Sequence, residues 1–212
     1  MRAAIVGTCF KVISSYSFTN GLLLIFLTAL GLDGATVISL LSLYSVVQAL
    51  CLLPCAWLSD SFGKRFITLA SVAFCGVGFV LLPMVNVFPT RLMIPVLALA
   101  ITLYGIGVGG QVSCWYALLA PIVPPFYRGR FFGNLRGAWQ MCAVLLAALI
   151  SFLLPETTSL SLLKILLLGV AVSILPWGLF YARIPELEHE TSPARGLTAL
   201  KGIVRSPGYM PF

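Results

Sequence analysis

The sequence predicts an all-α membrane protein of six transmembrane helices, and three observations predict it. Of 212 residues, 60% are hydrophobic and 9% charged, against about 25% charged in a soluble domain, whose surface must meet water. The apolar residues fall into six runs, each near the roughly 20 residues that a helix needs to cross a hydrocarbon core roughly 30 Å thick. The 13 Lys and Arg outnumber the 6 Asp and Glu, but they stand between the apolar runs rather than on one polar face. That placement excludes a nucleic-acid partner and is the pattern of membrane-protein loops, with a lipid bilayer as the partner instead.

The first span is expected over Val12 to Leu32, ending at Asp33-Gly34. Before it, Arg2 and a short apolar run broken by Lys11 make a segment too short for a signal-peptide core, so the first span is retained. The second runs from Thr36 to Leu58 and closes at Ser59-Asp60. The third runs from Phe66 to Val87, ended by Pro89-Thr90-Arg91. The fourth, Leu92 to Leu119, is long enough to tilt. Pro121 to Arg130 holds three prolines and two arginines and is a loop. The fifth runs from Phe131 to Leu154, ended by Pro155-Glu156-Thr157-Thr158, and the sixth from Leu160 to Tyr181. Residues 1–182 form the bundle. Residues 183–212 read as a linker in which Leu197, Leu200, Ile203 and Val204 share a helical face beside Lys201 and Arg205, a short amphipathic helix on the membrane surface. His189 reads as a solvated loop residue.

With a cytoplasmic N-terminus, Arg2, Lys11, Lys64, Arg65, Arg128, Arg130, Arg136, Arg183, Arg195, Lys201 and Arg205 lie at or near the inner face, and Arg91 and Lys164 lie outside. Eleven against two predicts both termini inside, in a plasma or inner membrane. The six cysteines lie in or beside apolar runs and read as small packing residues, with no disulfide framework. Cys51 and Cys55 share a helical face but have no further metal ligands nearby. No metal or cofactor is expected.

The loop between the second and third spans reads Ala56-Trp57-Leu58-Ser59-Asp60-Ser61-Phe62-Gly63-Lys64-Arg65-Phe66-Ile67-Thr68-Leu69. Gly63 permits a tight turn. Lys64 and Arg65 hold the loop at an anionic surface. Asp60 stands at a helix end near the membrane boundary and needs a cation or a helix N-terminus. The loop resembles the signature loop of the major facilitator superfamily: Leu58, Asp60, Gly63, Lys64, Arg65 and Leu69 match, while Ala56 replaces a preferred Gly and Ser61 a preferred basic residue. Between the fourth and fifth spans, Arg128-Gly129-Arg130 resembles a run common at that point in the same superfamily.

The resemblance covers nearly the whole chain. It implies the N-terminal six-helix half of a twelve-helix transporter, built as two inverted three-helix repeats and ending before a seventh helix. It implies alternating-access transport of a small-molecule solute together with a second six-helix half. It also implies that Asp60, Gly63, Lys64, Arg65, Arg128 and Arg130 form a conformational switch. In the resembled fold the first, second, fourth and fifth helices line the cavity, which makes Tyr16, Asn20, Gln48, Gln111, Trp115 and Gln140 substrate-cavity candidates. The competing reading of each is an interhelical hydrogen bond that only holds the bundle. Asn134 and Trp139 share the fifth span, and Arg136 reads as snorkelling to the interface.

Gly105, Gly107 and Gly110 match the spacing of a nucleotide-binding loop, but they lie inside an apolar helix rather than after a strand. Gly105 and Gly109 read as a small-residue packing face. Leu99 to Tyr104 carries no Arg where the resembled proteins often do, and the Gly-Pro pattern of antiporters is missing from the fifth span. Two other classes are weighed against transport. An intramembrane enzyme needs a catalytic cluster that the sequence does not offer. A non-transporting scaffold or truncated remnant is compatible with the chain's length.

Overall fold

The computed structural model describes residues 2–154 and 159–187. Among them the chain forms seven α-helices: α1 (Arg2–Thr19), α2 (Leu22–Ala29), α3 (Gly34–Phe62), α4 (Lys64–Met84), α5 (Thr90–Leu119), α6 (Arg128–Leu153) and α7 (Leu160–Ala182). The five from α3 to α7 are each long and apolar enough to cross a membrane, and α1 with α2 makes a sixth span bent by 43°. The expected amphipathic segment at Leu197–Arg205, His189 and the loop Pro155–Thr158 lie outside the described residues.

The first span departs from the expectation. Its helix begins at Arg2, not Val12, and Lys11 lies inside it. A charge interrupting an apolar run reads as a boundary because a lone ammonium in a span is costly; here Lys11 bonds Gln111 of α5 instead. The bend has a local cause. The Asn20 N–H closes α1 on the Tyr16 carbonyl at 2.8 Å, and the Gly21 carbonyl opens α2 by accepting the Ile25 N–H at 2.8 Å. Gly21 between them sits at φ 104°, a left-handed conformation that a Cβ would penalise.

Asp33 starts α3 by accepting the Thr36 N–H at 3.1 Å and the Thr36 hydroxyl at 2.6 Å, an N-cap. Those bonds hold its carboxyl below the usual carboxylate range. α5 packs between α3 and α4, while α7 packs on α1 and α4 and α6 rests on α1. The α5 glycines make this approach possible. A Cβ on Gly109 would stand 2.9 Å from the Gln48 carbonyl oxygen of α3, and one on Gly107 would stand 2.8 Å from the Cys75 nitrogen of α4. The glycines therefore serve two opposite faces, Gly105 and Gly109 toward α3, Gly107 and Gly110 toward α4.

Above them an aromatic cluster fills the core: Phe18 stacks on Tyr104 at 4.4 Å between centroids, and Phe79 meets the same ring edge-on at 5.0 Å. Only 11% of the apolar window is buried in α3 and in α6, against 50% in α4. Two flanks of the bundle are thus apolar and open.

Candidate functional site: a polar cavity and a capped helix junction

A cavity of about 500 Å³ opens among α1, α5, α6 and α7, within the size range of small-molecule sites. Thr8 and Lys11 enter it from α1, Gln111 and Trp115 from α5, Arg136 and Trp139 from α6, and Tyr181 from α7. The wall is largely aromatic: Trp115 and Tyr181 stack at 4.5 Å with their planes 12° apart. Arg136 lies over the Trp139 ring at 5.0 Å, a cation–π contact.

The polar geometry is directional. The Lys11 ammonium donates to Gln111 Oε1. Lysine has only donors, so the amide must turn its oxygen to it. The amide nitrogen Nε2 of Gln111 is then buried with no hydrogen-bond partner, and the residue is 0% exposed. The Thr8 hydroxyl spends its proton on the Ala4 carbonyl at 2.8 Å.

Of the six cavity candidates, the structure brings Gln111 and Trp115 to the cavity wall. The others lie elsewhere. Tyr16 is half-buried away from the lining, and Asn20 is exposed at the bend, where its amide donates to Thr19 Oγ1 at 2.9 Å. Gln48 packs its backbone against Gly109, and Gln140 is exposed on α6. α3, the second span, contributes nothing to the lining. Lys11 and Tyr181 were not anticipated. The signal for Lys11 is that the stretch Ala3 to Phe18 makes a full-length helix once one charge is allowed through.

At the basic end of the bundle, Gly63 (φ 93°) turns the chain from α3 into α4. The first turn of α4 has no cap from its own segment. Glu186, beyond the end of α7, supplies one: its carboxylate accepts the Lys64 N–H at 2.7 Å and the Arg65 N–H at 3.3 Å. An anion at a helix N-terminus meets free N–H groups and the positive end of the dipole. The Arg65 guanidinium returns the contact by donating to the Ala182 carbonyl at the C-terminus of α7. Gly63, Lys64 and Arg65 are thereby joined to the end of the sixth span.

Asp60, in contrast, is exposed on the last turn of α3, with no hydrogen-bond partner among the described residues. The carboxylate that the α4 N-terminus receives is Glu186, which was not anticipated although it follows the sixth apolar run directly. Arg128 donates to the carbonyls of Val123 and Ala120, each at 3.2 Å, and so closes the end of α5. Arg130 is exposed.

Fold and cavity together define a class: a polytopic helical membrane protein packed around a polar, aromatic-walled cavity. The sequence model of the Major Facilitator Superfamily matches residues 4–211, and the chain belongs to that superfamily. Its broken first span and five further spans are consistent with the expected N-terminal six-helix half. No curated protein matches the chain.

Proposed function

We propose that this chain is the N-terminal half of a secondary transporter that moves a small organic solute by alternating access. The observation that carries the reading is the cavity: polar groups from α1, α5 and α6 converge on a space of about 500 Å³ inside an otherwise apolar bundle. Polar groups at membrane depth are costly, and they mark solute pathways when they face a shared space.

A second six-helix half completes the site in this reading. Alternating access needs one wall to rock against another, and α3 and α6 offer the unburied flanks. Along α6, Gly129, Gly133 and Gly137 recur every fourth residue, and a Cβ at each meets nothing within 4 Å. Such a stripe suits close approach of another helix. Gly63, Lys64, Arg65 and Arg128 hold helix ends that shift between states, and Asp60 and Arg130 stand exposed for contact with the second half. The bias of the basic residues toward one side of the bundle, read from the sequence, supports N-in, C-in topology in a plasma or inner membrane.

The experiment is co-expression with a second six-helix half, purification, and uptake of a labelled solute panel into liposomes. Uptake by the pair and none by the 212-residue chain alone is the expected result. Robust uptake by the purified chain as a monomer overturns the half-transporter reading, and no uptake by a well-folded pair leaves the scaffold reading in its place.

A further inference from the structure

We infer that the cavity takes an organic anion: a carboxylate-type group seated between Lys11 and Gln111, carried on a flat apolar body held by the aromatic wall. The inference rests on the cavity being the solute site of the proposed transporter, and it adds the chemical class of the solute.

Three observations carry it. First, the charged groups in the lining have one sign. Lys11 and Arg136 both face the cavity, and among the described residues no Asp or Glu lines it. The described acids are spent elsewhere: Asp33 caps α3, Glu186 caps α4, and Asp60 lies at the exposed end of α3. Second, the hydrogen-bonding capacity is all of one kind. Lys11 uses one donor on Gln111 Oε1, which leaves two of its three N–H groups for the cavity. Gln111 Nε2 is a buried donor with no partner, and a buried donor left unmet is costly. The group that satisfies an ammonium and an adjacent amide N–H together is an acceptor with negative charge, and such charge-assisted bonds are the strong ones.

Third, the remaining wall is aromatic. Trp115, stacked on Tyr181, lines the cavity together with Phe132 and Trp139, an aromatic surround that suits an apolar body. Neutral polar solutes leave Lys11 without a counter-charge at membrane depth, and cations add repulsion to that cost. An organic anion removes both.

The test uses the purified 212-residue chain in neutral detergent and reads quenching of its tryptophan fluorescence by three isosteric probes: benzoate, benzamide and benzylamine. Benzoate is expected to bind about tenfold or more tightly than benzamide, as a charge-assisted pair predicts, and benzylamine most weakly. Lys11→Met is expected to erase the preference and Lys11→Arg to keep it. Gln111→Glu, which preserves shape while pairing Lys11 internally, is expected to erase it as well, and it covers the case in which Lys11→Met fails to fold.

Equal binding of benzoate and benzamide overturns the inference, as does tighter binding of benzylamine. Absence of benzoate binding up to its solubility limit, or an anion preference that survives both Lys11→Met and Gln111→Glu, overturns it equally. Added phosphatidylglycerol separates a soluble anion from a lipid headgroup: unchanged benzoate binding supports the soluble class, and displacement assigns the cavity to lipid. Lys11-dependent benzoate binding without flux in the co-expressed pair refutes transport and leaves the anion site standing.

Discussion

Removing the carboxylate of Glu186 should loosen the first turn of α4 while leaving the rest of the bundle in place. The magnitude follows from the two bonds it accepts, 2.7 Å from the Lys64 N–H and 3.3 Å from the Arg65 N–H. Losing an N-cap costs about 0.5–2 kcal/mol. The negative charge at the positive end of the helix adds about 0.3–1 kcal/mol where it is partly shielded from water, as half-buried Glu186 is. Glu186→Ala removes both contributions and should cost about 1–3 kcal/mol locally. Glu186→Gln keeps an acceptor oxygen and loses the charge, so it should cost about 0.3–1 kcal/mol. The assay is hydrogen–deuterium exchange in detergent, comparing a peptide across Gly63–Ala70 with one from the centre of α5. For the alanine variant the first peptide should exchange about 5–150 times faster, with the α5 peptide unchanged. Unchanged exchange at Lys64 and Arg65 in both variants, or a larger effect in glutamine than in alanine, refutes the capping argument.

Four further outcomes are expected. Gly107→Leu should destabilise the bundle by about 1–3 kcal/mol or more through overpacking, because a Cβ there already crowds the Cys75 backbone nitrogen at 2.8 Å; thermal unfolding in detergent measures it. Gly133→Leu should leave that unfolding temperature unchanged, since a Cβ there meets nothing within 4 Å, but should reduce recovery of the second half in co-purification. Asp60→Asn should lower flux per folded transporter more than it lowers folded protein, and normal flux at normal abundance removes Asp60 from the switch. Single-cysteine labelling should modify cysteines at positions 64 and 130 only from the cytoplasmic side, and labelling from outside reverses the topology.

Five spans were legible in the sequence because each is an apolar run bounded by turn-forming residues: Asp33 caps the start of α3, Gly63 turns α3 into α4 just past Ser59-Asp60, which stay helical, and Pro89 precedes α5. α3 to α7 accordingly fall within a few residues of their expected limits. The first span failed at Lys11 for a physical reason. The rule that a charge ends a span holds when the charge is unpaired, and its partner Gln111 is a hundred residues away in the chain. The same distance problem hid Glu186, whose role depends on the N-terminus of α4, 121 to 122 residues earlier.

The cavity candidates divide along the same line. Gln111 and Trp115, four residues apart on α5, face the cavity, whereas Tyr16, on α1, and Asn20, in the bend that follows it, share the same spacing and do not. Spacing says which residues share a face and not where that face points. The 43° bend at Asn20-Gly21 changes the direction of the first span just beyond them. Composition and the period of the apolar runs determined by themselves that this chain lives in lipid, with about six helices, because lipid solvation is a local, additive property of each segment. Only the packing of α5 between α3 and α4, and of α1 against α7 and α6, decided which polar groups meet, because contacts between helices depend on rotation and tilt that no single segment encodes.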